Sequence, residues 1–133
     1  MNYGEWMEKV PQSIKGDPLW DLEIYRKSLF LYDLAWFDCD KMLKHDLGRP
    51  LARQLIRSSG SISANIEEGF GRGFGKDYAR FLRIALGSAR ESRGWYYKGR
   101  HLLKPDVLEH RFTLLNPIIA GLTTLANQQA RWK

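Results

Sequence analysis

The sequence predicts an all-α fold, an antiparallel, up-down four-helix bundle behind a short N-terminal arm. Three observations carry this expectation. Apolar residues recur at intervals of three and four along four successive stretches, which is the period of a helix face. Glycine or proline stands at each boundary between those stretches. No stretch alternates apolar and polar residues as a half-buried strand would. Four helices joined by short links favour antiparallel neighbours. At 133 residues the chain has room for one domain, expected over residues 18–133.

Residues 1–17 contain Gly4, Pro11 and Gly16 and only scattered apolar side chains, so they read as an arm without helical or strand period, with Trp6 available to anchor it. Asp17 followed by Pro18 has the form of an N-cap and a first helical position. Beyond it Leu22, Tyr25, Leu29, Tyr32, Trp36, Cys39 and Leu43 make one apolar stripe. Phe30, Leu34 and Phe37 make a second, about 180° away around the helix. One stripe serves a core. The other needs a cover, either the arm or another subunit, because monomers seldom leave large apolar patches in water. Phe30, Leu34 and Phe37 are therefore expected at an interface between subunits.

Gly48 and Pro50 mark the next boundary, and Leu51, Leu55, Ile62 and Ile66 continue one face of a second helix to Glu68, where Gly69 is a natural terminator. Gly69, Gly71, Gly73 and Gly75 then make a flexible connection. Asp77 caps a third helix with Tyr78, Phe81, Ala85, Ser88, Ser92 and Trp95 on one side, ended by Lys104 and Pro105. The fourth repeats Leu108, Phe112, Leu115, Ile119, Leu122 and Ala126, with Pro117 predicted to kink it.

Composition narrows the class. With 44% hydrophobic residues the chain buries roughly two-thirds of its unfolded surface, which excludes wholesale disorder. The single cysteine, Cys39, forbids an intrachain disulfide. No run approaches the ~20 apolar residues of a membrane span, and the first residues lack the basic start and apolar core of a signal peptide. The expectation is a soluble cytoplasmic protein with no membrane contact.

Small residues are dense in the second and third helices, at Ser58, Ser59, Gly60, Ser61, Ser63 and Ala64 and at Ala85, Gly87, Ser88 and Ala89. They weaken a helix intrinsically and permit two backbones to approach closely, with hydroxyls bonding locally or across the contact. A tight helix pair explains them better than a nucleophilic serine, since no histidine has an obvious route to these serines.

The run QLIRSSGSISANIEEGFGR (residues 54–72), followed by FLRIALGSARE (residues 81–91), closely resembles the signature of the four-helix-bundle proteins encoded by intervening sequences of 23S ribosomal RNA genes. It is also similar to the accessory variability determinants of diversity-generating retroelements. The resemblance implies an antiparallel four-helix bundle assembled as a homopentamer, nucleic-acid binding, a reverse transcriptase as partner, and no enzymatic activity. Within it, Arg57, Ser58, Ser61, Asn65, Glu68, Gly69, Arg72, Gly87, Ser88 and Glu91 stand at matching positions. Arg57 and Arg72, beside Asn65 and Glu68, are expected to form a partly buried polar network that fixes helix and subunit register. Glu67 and Ser92 depart from the pattern and add polarity near the expected subunit contact.

Charge is concentrated in the same helices. Residues 47–104 carry 12 basic and 4 acidic side chains, a net of +8 within a chain whose total is +6. Arg49, Arg53 and Arg57 are spaced four apart on the second helix; Arg80, Arg83, Arg90, Arg93 and Arg100 spread over a wider face of the third, with Tyr97 among them. Arginine suits phosphate, because its planar fork gives two parallel hydrogen bonds and stacks on bases. Arg49, Arg53, Arg80, Arg83, Arg90, Arg93 and Arg100 are the expected contacts to RNA or DNA, with binding that is sequence-tolerant and weakened by salt. The other reading of the stripe is a solvated face or intersubunit pairs with Glu67, Glu68 and Glu91, in a structural or adaptor homo-oligomer.

Other chemistry is not expected. Around Lys76 the glycines lack a phosphate loop's spacing, with Phe70 and Asp77 at two required positions. His45, His101, His110 and Cys39 show no metal-ligand spacing, and Asp38 and Asp40 point in different directions from a helix. No metal or cofactor is expected.

Overall fold

The computed structural model describes residues 1–132. Among these the order is α1 (Tyr3–Lys9), α2 (Gln12–Lys15), a 3-10 turn (Pro18–Asp21), α3 (Glu23–Met42), α4 (Gly48–Phe70), α5 (Lys76–Lys98) and α6 (Pro105–Ala130), with no strand. The fold is all-α. Each long helix has two neighbours: α3 and α5 both pack against α4 and α6. On α3 and α4 the contacts run from Tyr25 and Glu67 at one end to Cys39 and Ala52 at the other. On α4 and α5 they run from Arg57 and Glu91 to Gly69 and Tyr78. Along each of these seams residue numbers rise on one helix as they fall on the other.

The core lies between the four long helices, where Leu31, Met42, Leu55, Ile62, Leu82, Leu115 and Leu122 are fully buried. Each such side chain contributes about 1.5–3 kcal/mol of transfer free energy.

The arm departs from expectation because residues 3–9 and 12–15 are helical. Asn2 caps α1 in a reciprocal box with Glu5, which satisfies backbone donors that so short a helix would otherwise leave open. Trp6 does anchor the arm: it is buried, its Nε1 donates to Asp33 at 2.7 Å, and its ring lies 5.3 Å from Phe30. Tyr3 packs on Phe30 at the same distance. Phe30 is consequently 1% exposed within one chain and is not an interface residue. Leu34 is half-buried, and only Phe37 of the predicted trio is widely exposed. The core sector of α3 keeps Tyr25 and Cys39 of the first predicted stripe and otherwise falls between the two, at Ser28, Leu31, Ala35, Asp38 and Met42. Trp36 and Leu43, assigned to a core stripe, face outward.

Boundaries shift for physical reasons. Asp17 caps as expected, accepting from Leu19 N at 2.9 Å, but what it caps is the 3-10 turn, and α3 starts only at Glu23. Gly69 does not end α4. A Cβ there would sit 2.9 Å from both Phe81 and Tyr78, so the glycine admits α5 against α4. Gly75, at φ 108°, precedes α5 in a conformation that favours glycine, and its buried N–H donates to Gln129 Oε1 at 2.8 Å. Asp77 lies in the first turn of α5 and does not cap it. α5 closes at Lys98 with Gly99 following, short of the expected Lys104. α6 opens on Pro105 and continues through Pro117.

Candidate nucleic-acid interface

The α4–α5 seam is built from hydroxyls. Ser58 and Ser92, both fully buried, share a hydrogen bond of 2.8 Å, and Ser88 donates to Ser61 at 2.9 Å. Asn65 Nδ2 donates to Ser61 O and Oγ at 2.8 and 2.9 Å. Small side chains let the backbones close, and pairing the hydroxyls avoids the cost of burying them unsatisfied. Ser92 is thus consumed inside the chain, while Glu67 stays exposed and accepts from Tyr25 Oη at 2.6 Å. Ser92, fully buried, is not available to a subunit contact. Burial and the Glu67 carboxylate together raise the Tyr25 pKa.

Arg57 pairs with Glu91 and with Gln54, and Arg72 pairs with Glu68 at 2.8 Å and Asp77 at 3.8 Å. These are separate pairs and do not join Arg57, Arg72, Asn65 and Glu68 in one network, and the ions are not partly buried as expected: the Arg57 and Arg72 side chains are 58% and 46% exposed, and Asn65 bonds to Ser61 instead. Exposed pairs of this kind are worth about 0–1 kcal/mol. Gly87 belongs to no seam; a Cβ there would meet nothing within 4 Å.

The seven arginines expected to meet phosphate divide into two groups. Arg53, Arg83 and Arg90 are exposed and have no ion pair or hydrogen bond to another residue among those described. The rest are engaged. Arg49 pairs with Asp46 at 3.1 Å, and Arg80 with Asp77 at 3.5 Å while lying over Phe81. Arg93 donates to Asn116 Oδ1 at 3.0 Å. Arg100 lies 4.2 Å above the Tyr97 ring and donates to Tyr97 O. On α5, Arg83, Arg90 and Tyr97 recur at helical intervals along the outer side, with Gly87 and Gly94 between them. Arg90, Arg93, Gly94 and Tyr97 face Glu109, Phe112 and Asn116 of α6 across an open trough of about 570 Å³. The α6 residues were not legible as site residues, since nothing in their local spacing distinguishes them.

A second feature escaped the sequence. Asp38, 2% exposed, accepts from Tyr96 Oη at 2.7 Å and from Arg111 Nε and Nη2 at 2.7 and 3.1 Å. The triad ties α3, α5 and α6 together. Burial and then the Asp38 charge raise the Tyr96 pKa well above its usual value. Burial pulls Arg111 down, but its bonds and attraction to Asp38 outweigh this and hold it above its usual value. Arg111 Nη1 donates to His110 Nδ1 at 2.7 Å, since a guanidinium cannot accept. Burial, then Arg111, lower the His110 pKa. The available signal was Arg111 itself, a charge on the face of Leu108 and Leu115.

Among the described residues no cluster of three His, Cys, Asp or Glu side chains could hold a metal ion, and no helix is long and apolar enough to cross a membrane. Burial, with Asp38 adjacent, pushes the Cys39 thiol up to about 12.

Comparison with known proteins bears on the fold and family. The crystal structure of a protein of unknown function from the S23 ribosomal protein family of Bacteroides thetaiotaomicron is similar, with a TM-score of 0.72 and 22% identity over 77% of this chain and 97% of that one. No curated protein matches. The model of the 23S rRNA-intervening sequence protein family matches residues 20–119, from the 3-10 turn to the middle of α6. The matched stretch includes the whole serine-lined seam and the arginine-bearing helices, and the chain belongs to the 23S rRNA-intervening sequence protein family.

Proposed function

We propose that this chain is a non-enzymatic homo-oligomer, each subunit an antiparallel, up-down four-helix bundle, that binds RNA or DNA through the arginine-rich outer side of α4 and α5. The opposed numbering along the helix seams supports the topology. What carries the binding reading is the exposure of Arg53, Arg83 and Arg90 without a carboxylate partner among the described residues, in a region of net charge +8. Free guanidinium groups on a basic surface collect phosphates and release condensed counterions. Exposed Trp36 and Phe37, on α3 beside the arm, supply an apolar face for a second copy, and repeated basic faces in an oligomer raise avidity. The partner this reading carries is a reverse transcriptase, from the resemblance of residues 54–72 and 81–91.

A structural or adaptor homo-oligomer without nucleic acid is the second reading. It is favoured by the internal pairing of Arg49, Arg57, Arg72 and Arg80. Filter retention or fluorescence anisotropy with an unrelated oligonucleotide of about 20–30 nucleotides, read across salt, separates the two. The first reading expects binding at low salt. It also expects the Arg53→Glu, Arg83→Glu double variant to bind more weakly, with a salt slope shallower by about two. Unchanged affinity and slope in a folded double variant would remove the arginine surface from the site.

A further inference from the structure

We propose that the trough between α5 and α6 is a seat for one or two unpaired nucleotides, so that the protein prefers single-stranded to duplex nucleic acid. This deepens the nucleic-acid reading above and rests on it. The trough joins the three kinds of group that an unpaired nucleotide needs. Tyr97 offers an aromatic ring that is 54% exposed although it already carries the Arg100 guanidinium at 4.2 Å. Arg90 and Arg93 supply phosphate donors, and Arg90 has no protein partner among the described residues. Glu109 and Asn116 place an acceptor and an amide on the α6 wall, where Asn116 Oδ1 accepts from Arg93 and leaves its amide hydrogens to donate.

Two arginines against one glutamate leave the trough cationic, which favours a phosphodiester over an acidic peptide. Its volume of about 570 Å³ falls within the range of about 300–1,000 Å³ that small ligands occupy, which suits a nucleotide and not a double helix. Bases inside a duplex stack on one another and present no free face, whereas an unpaired base has one for Tyr97. Gly94 keeps the trough floor open, because a Cβ at that position would meet nothing within 4 Å. A side chain introduced there enters the trough without displacing a protein atom at its first carbon.

The test is fluorescence anisotropy at about 50 mM salt with one sequence presented as single-stranded RNA, single-stranded DNA and duplex DNA. The wild-type protein is expected to bind at least one single strand about tenfold more tightly than the duplex. Tyr97→Leu, which keeps an uncharged, largely apolar side chain but removes the ring, and Gly94→Leu, which places a side chain in the trough, should each lower that affinity about tenfold and spare the duplex. Circular dichroism confirms that the variants are folded. Equal affinity of the wild type for strands and duplex, or folded variants that bind single strands as well as the wild type, overturns the trough. In that case a continued loss with Arg53→Glu, Arg83→Glu leaves the wider arginine surface standing. A wild type that binds none of the three probes removes both.

Discussion

Replacing Arg111 by methionine tests the buried triad most directly. The substitution keeps an unbranched stem of similar length and deletes the guanidinium that gives Asp38 bonds of 2.7 and 3.1 Å. Asp38 is then a carboxylate at 2% exposure with the Tyr96 hydroxyl as its remaining donor. Removing one partner of a buried pair costs about 3–5 kcal/mol, a large part of the ~5–15 kcal/mol that holds a domain together. At this chain length that corresponds to a fall in Tm of roughly 10–20 °C. Urea unfolding followed by circular dichroism at neutral pH measures it. The triple variant Arg111→Met, Asp38→Leu, Tyr96→Phe removes the stranded groups together and should recover most of the loss, since an apolar replacement of a buried pair is commonly neutral or stabilising. The reasoning fails if Arg111→Met alone costs no more than the ~1 kcal/mol of an exposed pair, or if the triple variant is less stable than the single one.

Two glycines on facing helices should answer alanine in opposite directions. Gly69→Ala forces a methyl to 2.9 Å from Phe81 and Tyr78 and should cost about 1–3 kcal/mol, while Gly87→Ala, in open space, should gain about 1 kcal/mol from helix propensity. Equal shifts in Tm for the pair would contradict the seam geometry. The lowered His110 pKa means that the unfolded chain takes up this proton first as pH falls, so stability declines as pH drops through the ordinary histidine range. His110→Gln should flatten the stability profile between about pH 7 and 5; an undiminished slope would place the sensitivity elsewhere.

Four long helices were readable because each keeps a three-and-four apolar spacing over at least 20 residues, with glycine or proline nearby. The arm was not, because helices of 7 and 4 residues are too short to display a period and are held by capping and by Trp6. Misassignment on α3 has a single cause. Its buried sector includes Ser28, Ala35 and Asp38, which a search for large apolar side chains passes over, while Trp36 and Phe37 are large and face outward. The arginine face was visible as composition, but which guanidinium groups stay free depends on carboxylates such as Glu91, 34 residues from Arg57. The triad spans 73 residues between Asp38 and Arg111, beyond any local pattern.

The serine-lined seam also governs geometry at the molecular surface. Sliding α5 along α4 by one turn, about 5.4 Å, would part Ser58 from Ser92 and Ser61 from Ser88, stranding the hydroxyls of the first, fully buried pair and breaking the half-buried bond of the second. A greasy interface would offer several nearly equivalent settings; this one behaves as a keyed joint. The distance between the cationic row on one rod and the row on its neighbour is therefore machined from within, by oxygen atoms that bond to one another.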